Sequence, residues 1–532
     1  MNMDAEKTIP TNDVTLTGEP LSIGAVEAVA RWGASVVLTD QASTNLRRGR
    51  AALEAALAGG AVLYGVNTGF GSLSTKRIDD DDLRQVQRNL VRSHAAGVGE
   101  PLPVETVRAM LLLLAASLSR GHSGPREVVV DAIVALLNAG ITPVVPEVGS
   151  VGASGDLAPL AHAALVLLGE GEAFVDGERM AGGQALQQAG LTPITLEAKE
   201  GLALLNGTHL MAARGTLALA DCARLFHAAI AAAAMSIDAC RGTDAFLDPR
   251  VHALRGQMGQ IEVARLLSSQ IESSKIIPSH LHDDPRVQDP YSLRCAPQVL
   301  GASLDAICFA RTIIERELGA VTDNPLVFEG TDDAGRQVIS AGNFHGMPLA
   351  IALDTLAIAL SHIAGISERR IYFLLSASDA QNPLHPHLSP QPGLHSGLMI
   401  TQYTAAACCN ELVGLANPAS VANIPTSAGM EDYNSFGPRS AAKAQRAVTL
   451  ASKVVAIELL CATEAMEYQR PMLSGDGVER TFALVRRVSP KLVADRPPAA
   501  DIAAISERIA AGAFAFGPIA GLDLWAPGRA SE

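Results

Sequence analysis

From about residue 197 onward the chain is dominated by long apolar stretches, and these constrain its fold more than any other feature. Positions 202–239, 298–318, 348–376, 398–415 and 440–466 are rich in Ala, Leu, Ile and Val. Runs of this length predict helices, some beyond about 25 residues, and such helices hide their apolar faces best against one another in a bundle. Aromatic residues are only 4% of the chain, so the helices can pack closely on small side chains. Hydrophobic residues reach 48% and charged residues only 18%, which excludes disorder for most of the length. Loops rich in Pro, Asn and Ser interrupt the stretches at 280–290, 379–393 and 417–438.

The N-terminal part is mixed. Positions 44–57, 79–93, 106–120 and 126–138 have helical spacing, with Gly121 and Gly140 as stops. Residues 140–159 read as loop, and 171–181 as a hairpin turning at Asp176-Gly177. A further helix is expected near 502–511. The expectation is a mainly α protein. A mixed N-terminal domain covers residues 1–215, and a helical-bundle domain with a C-terminal helical tail covers 216–532. Residues 346–367 are long and apolar enough to span a membrane, with one acid, Asp354. Their flanks lack the aromatic and basic anchors of a span, so they read as a buried bundle helix.

The 41 basic and 55 acidic residues leave a net charge of −14, with a pI near 5.4. That balance argues against nucleic acid and against an anionic membrane as partners. Seven cysteines, odd in number and without a CxxC pair, suggest neither a disulfide framework nor a zinc site. A reducing, cytoplasmic setting is expected, and the polar N-terminus has no apolar signal-peptide stretch.

Familiar catalytic templates are absent: no GxxxxGK[ST], no GxGxxG after a strand, no HExxH and no GxSxG. Ser154 in Gly152-Ala153-Ser154-Gly155-Asp156 lacks the second glycine of a nucleophile elbow. His385, His387 and His395 lie in a Pro-rich loop and read as loop histidines rather than metal ligands. Two glycine-rich loops remain, Tyr64 to Gly71 and Gly149 to Leu157. Glycine allows positive φ, and either loop alone reads as structural.

Together the loops carry more. GSVGASGDLAPLAH, YGVNTGFG, RSHAAGVGE, GLALLNGT, VQDPYSLRC, TDNPLVF, GNFH and SERR occur in this order along nearly the whole chain. The pattern resembles the aromatic amino acid ammonia-lyases. The resemblance implies a fumarase/aspartase-like helical architecture and a homotetramer with active sites built from loops of three chains. It also implies that Ala153-Ser154-Gly155 cyclises with loss of two waters to 4-methylideneimidazole-5-one (MIO), with no external cofactor and no metal. Elimination of ammonia needs such an electrophile, because amine is a poor leaving group, the β-hydrogen is barely acidic and no ordinary side chain is electrophilic. The small Ala153 and Gly155, flanked by Gly152, permit the compression that ring closure requires.

The same resemblance assigns roles. Tyr64 is the base that takes the β-proton. Arg294 suits a bidentate clamp on the substrate carboxylate, and Asn206, Gln288 and Tyr291 line the amine and carboxylate end. Asn324 and Phe344 fall near the MIO. His94 faces the substrate side chain. Glu431, in Met430-Glu431-Asp432, resembles the members that act on histidine, whereas those acting on phenylalanine or tyrosine usually carry Asn-Gln-Asp there. An ionised glutamate only accepts hydrogen bonds, so imidazole N–H satisfies it and a phenyl ring does not. The implied reaction is elimination of ammonia from L-histidine to trans-urocanate. Tyrosine or phenylalanine lyase activity, an MIO-dependent aminomutase and a non-catalytic helical assembly are the alternatives. Met430, His209, His395 and the Tyr433-Asn434-Ser435-Phe436 segment depart from the pattern of the histidine-specific members.

Overall fold

The apolar stretches form the core of the molecule. In a computed structural model that describes residues 13–522, apart from 283, 285, 332, 334 and 379–381, they become the helices His209–Ala239, Ala296–Glu317, Met347–Ser376, Met399–Leu415 and Gly437–Met466. Met347–Ser376 packs against Gly437–Met466, and both pack on His209–Ala239. The central helix His209–Ala239 is buried on nearly every side, as expected for a helix that is apolar all round. Two of these helices, His209–Ala239 and Met347–Ser376, are long and apolar enough to cross a membrane, yet most of their apolar residues are buried inside the protein.

Two buried ion pairs tie the bundle helices together. Lys443 Nζ lies 2.7 Å from Asp354 Oδ1, and the amides of Ala419 and Ser420 donate to Asp354 Oδ2 at 2.9 Å. Arg370 makes a bidentate pair with Glu458, its Nη2 2.8 Å from Oε2, and Ser236 Oγ donates to the same carboxylate at 2.7 Å. Removing one partner of such a pair strands the other in a dry interior. Glu458→Ala should therefore lower unfolding free energy by about 3–5 kcal/mol, read as a shifted urea midpoint. An unchanged midpoint would contradict this.

The N-terminal part is helical with small sheets. Val14–Leu16 pairs in parallel with Val36–Leu38, and Ser22 and Thr39 cap the helices Ile23–Trp32 and Asp40–Ala58. The hairpin is present: Glu172–Val175 pairs with Glu178–Ala181 around Asp176 and Gly177, both at positive φ, as a two-residue hairpin turn requires. Two expectations need correction. Residues 140–159 are not all loop, since they hold the strands Thr142–Pro143 and Pro146–Val148 and the start of helix Leu157–Leu167. The stretch 202–239 is not continuous either. Helix Glu200–Leu205 stops at Asn206, which is extended, and Gly207 has φ +118° before His209–Ala239 begins. Residue 215 lies in the second turn of that helix, so the N-terminal part passes into the bundle along a continuous helix.

Candidate active site

The break at Asn206 and Gly207 is imposed by the loop that carries Ala153-Ser154-Gly155. Asp156 N donates to Gly207 O at 2.7 Å, and Gly207 N to Ser154 O at 3.3 Å. Gly152 and Gly155 have φ of +71° and +74°, a region that glycine enters at no steric cost. There is no room for more: a Cβ on Gly155 would lie 2.0 Å from Gly207 O, and one on Gly152 2.1 Å from Ser435 Oγ. Asp156 fastens the loop to the bundle. Its Oδ2 accepts from the amides of Leu210 and Met211, at 2.9 and 3.1 Å, in the first turn of His209–Ala239. Burial pushes the Asp156 carboxyl up to about 7, and these amide bonds act against that rise. Gly155→Ala should cost about 1–3 kcal/mol through strain and overpacking. It should also leave Ser154 displaced and turnover lost, so a variant with wild-type melting temperature and activity would contradict the packing described.

Ser154 opens onto a cavity of about 860 Å³ that is also lined by Tyr64, His94, Asn206, Asn324, Phe344 and Glu431. Val86, Leu90, Leu157, Leu202 and Leu205 supply apolar wall. The phenol oxygen of Tyr64 accepts from Gly71 N at 3.1 Å, a contact that strengthens as negative charge grows on that oxygen. Gly65 beside it has φ +63°, and a Cβ there would strike Leu202 at 2.4 Å.

His94 ends the helix Leu83–His94, and its Nδ1 lies 2.9 Å from Leu90 O. A carbonyl only accepts, so Nδ1 is the donor in this contact and Nε2 is the ring nitrogen outside it. Glu431 is held by Thr426, whose hydroxyl donates to Oε2 at 2.8 Å and whose amide donates to Glu431 O at 2.9 Å. The turn Ser427–Gly429 packs on the turn Gly71–Leu73, with Ser72 N donating to Ser427 Oγ at 3.3 Å. The Tyr64 loop and the Glu431 loop of one chain thus close on each other.

Three expected residues are not brought to this cavity within the chain. Gln288 is exposed, Tyr291 is 70% exposed, and both stand with Arg294 around the short helix Tyr291–Arg294. Arg294 Nε donates to Asp289 O at 2.9 Å, and its guanidinium lies 4.4 Å from the centre of the Tyr291 ring. Of the departures from the histidine-type pattern, Met430 alone lines the cavity. Tyr433 stacks on His345, His395 is 3.9 Å from Asp495, and His209 is buried behind Asn206, where burial pushes it down to about 4.

Sequence reasoning missed the polar layer beneath the cavity. Lys199 is fully buried and lies 2.5 Å from Asp323 Oδ2; burial pulls its ammonium below the usual range and Asp323 opposes that. In sequence Lys199 sits in Glu-Ala-Lys-Glu-Gly, which reads as a solvated run of charge, and no local pattern reveals a partner so far along the chain.

The match to known proteins covers this whole arrangement. Residues 21–487 match the family model described as aromatic amino acid lyase. The chain belongs to the aromatic amino acid lyase family. Among its relatives in that family is a histidine ammonia-lyase from Anaeromyxobacter dehalogenans, 48% identical over 507 residues, covering 94% of this chain and 99% of that one. Another, from Geobacillus thermodenitrificans, is 46% identical over 509 residues, covering 94% and 99%. Among solved structures, the histidine ammonia-lyase from Trypanosoma cruzi superposes with a TM-score of 0.87 at 38% identity, covering 94% of each chain. The tyrosine aminomutase from Streptomyces globisporus gives 0.88 at 33% identity, covering 94% of this chain and 98% of that one. A mainly helical bundle is thus the fold of this lyase family.

Proposed function

We propose that the protein is a carbon–nitrogen lyase that eliminates ammonia from L-histidine to give trans-urocanate. The observation that carries the substrate is Glu431, a carboxylate on a largely apolar cavity wall shared with Ser154 and Tyr64. A carboxylate there is satisfied by an N–H donor such as imidazole and left unpaired by a phenyl ring. The names of the relatives point the same way.

The residues present fit an MIO group. Ser154 faces the cavity from a loop in which Gly152 and Gly155 both have positive φ and a Cβ on either would clash. When formed, that group supplies the electrophile that makes the amine a competent leaving group. The other steps belong to side chains. Tyr64 takes the β-proton through its phenol oxygen, and the electron pair of that C–H bond becomes the C=C bond as the C–N bond breaks. The Gly71 amide supports the charge on the Tyr64 oxygen before the proton arrives. His94 and Glu431 orient the imidazole, and the apolar wall keeps water from the reacting carbons.

The carboxylate clamp comes from another copy of the chain. Gln288 and Tyr291 stand exposed, Arg294 beside them is half-buried, and none of the three lines the cavity, which suits a homotetramer whose sites combine loops of several chains. Sedimentation should give a tetramer as the active species, and a fully active monomer would contradict this reading. Incubation with L-histidine should release one ammonia for each urocanate formed, in a cytoplasmic-type reducing buffer without added cofactor. Recovery of a β-amino acid instead would identify an aminomutase.

A further inference from the structure

The polar layer under the cavity has a defined direction. Asn206 Nδ2 donates to Asp323 Oδ1 at 3.0 Å and to Asn324 O at 2.9 Å. Both partners only accept, so both amide hydrogens of Asn206 are committed and its Oδ1 is the end left to the cavity. Asn324 is held the opposite way. Its Oδ1 accepts from Ala341 N at 2.7 Å and Ser340 Oγ at 3.2 Å, which leaves Nδ2 to the cavity. Asp323 links the two, because its Oδ1 also accepts from Asn324 N at 2.6 Å. Behind it Lys199 closes the layer. Asp323, Asn206 and Asn324 are each no more than 5% exposed, and Lys199 is fully buried. Lys199 holds this position with φ +76°, a conformation costly for a side chain with a Cβ.

We infer that Lys199 and Asp323 are positioning residues that set the polarity of the cavity floor, so that Asn206 presents an acceptor to the substrate amine and Asn324 presents a donor. A buried carboxylate without its cation costs several kcal/mol, so Lys199 is what allows Asp323 to remain as an acceptor there. Asp323 in turn denies Asn206 the flipped orientation, in which its oxygen would face two acceptors. The amine to be expelled carries N–H groups, and an acceptor aligned with them holds the C–N bond in line for cleavage. The inference rests on the ammonia-lyase reading for the identity of the amine, and on the hydrogen-bond geometry alone for the polarity.

Two double variants separate polarity from simple support. Lys199→Met with Asp323→Asn deletes the ion pair but keeps an acceptor for Asn206. Lys199→Met with Asp323→Leu deletes both. Neutral replacement of a buried pair is tolerated in stability. The asparagine variant should keep kcat within about threefold of wild type, whereas the leucine variant should lose on the order of 100-fold in kcat, with less change in KM. Intact mass should show the same loss of two waters in both, so the difference does not arise from the electrophile. If the two variants lose turnover equally, or neither loses any, the ion pair is only structural and the inference falls. A loss of that size in the asparagine variant overturns it even if the leucine variant does not fold. The ratios are read on whichever amino acid the wild type turns over, so failure of the histidine reading leaves this test intact. Crystal structures of the variants give a readout without turnover: Asn206 Nδ2 should stay on residue 323 with asparagine and leave it with leucine. Asn206 unchanged in both would contradict the inference.

Discussion

The Ser154→Ala protein should fold as the wild type does and lose at least about 10³-fold in ammonia release, because its electrophile cannot form. The loop contacts that position residue 154 are made by its backbone, with Gly207 N donating to Ser154 O, and by Asp156. Alanine preserves them. What it removes is the hydroxyl whose loss leaves the methylidene carbon. Intact mass should place the wild type two waters below the sum of its residues and the variant at its unmodified mass. An active wild type at unmodified mass would contradict the account of the loop.

Glu431→Gln should lower kcat/KM for histidine by about 10- to 150-fold, the equivalent of the 1.5–3 kcal/mol of a charge-assisted bond. The variant keeps the shape, and Thr426 can still bond the amide, so the loop against Gly71–Leu73 should be undisturbed. Any turnover of tyrosine or phenylalanine should hold or rise, since no unpaired carboxylate then faces the ring. Met430 is the competing influence, because it lines the same cavity. If Met430 has already remade the pocket for an aromatic ring, Glu431→Gln leaves the ratio of histidine to tyrosine turnover unchanged. The histidine assignment would then be wrong, while the elimination chemistry would stand.

The long helices were legible because their signal is local. Gly437–Met466 and Met347–Ser376 are each rich in small and apolar residues, and each carries proline in its first turn, where the missing N–H costs nothing. The interruption at Asn206 and Gly207 was not legible. Its local sign is confined to the Asn-Gly pair with Thr208 and His209 between two long apolar stretches, and the break is held by the distant backbone of Gly155. Helix Leu157–Leu167 was hidden for a related reason: its start sits inside a glycine-rich loop and its Pro159 looks like a breaker, although it falls in the first turn. Ile23–Trp32 and Met258–Ile271 are short, and their mixed composition gave no reading from sequence.

The site divides in the same way. Tyr64, His94, Ser154, Asn206, Asn324, Phe344 and Glu431 lie in recognisable motifs, and the fold gathers them around one cavity. Gln288, Tyr291 and Arg294 lie in an equally recognisable motif that the single chain leaves outside it. Motif content identifies residues without saying where the fold puts them. The Lys199–Asp323 pair escaped because Lys199 belongs to no local pattern, Asp323 sits in TDNPLVF without a sign of its partner, and their relation exists only in three dimensions.

The central claim is tested most directly by one comparison of kcat/KM for L-histidine, L-tyrosine and L-phenylalanine on the purified protein. Urocanate, coumarate and cinnamate are followed by absorbance and free ammonia is measured in parallel. The account predicts that histidine is preferred, with urocanate and ammonia formed in equal amounts. Preference for tyrosine or phenylalanine, or urocanate formation that does not match ammonia release, would contradict it.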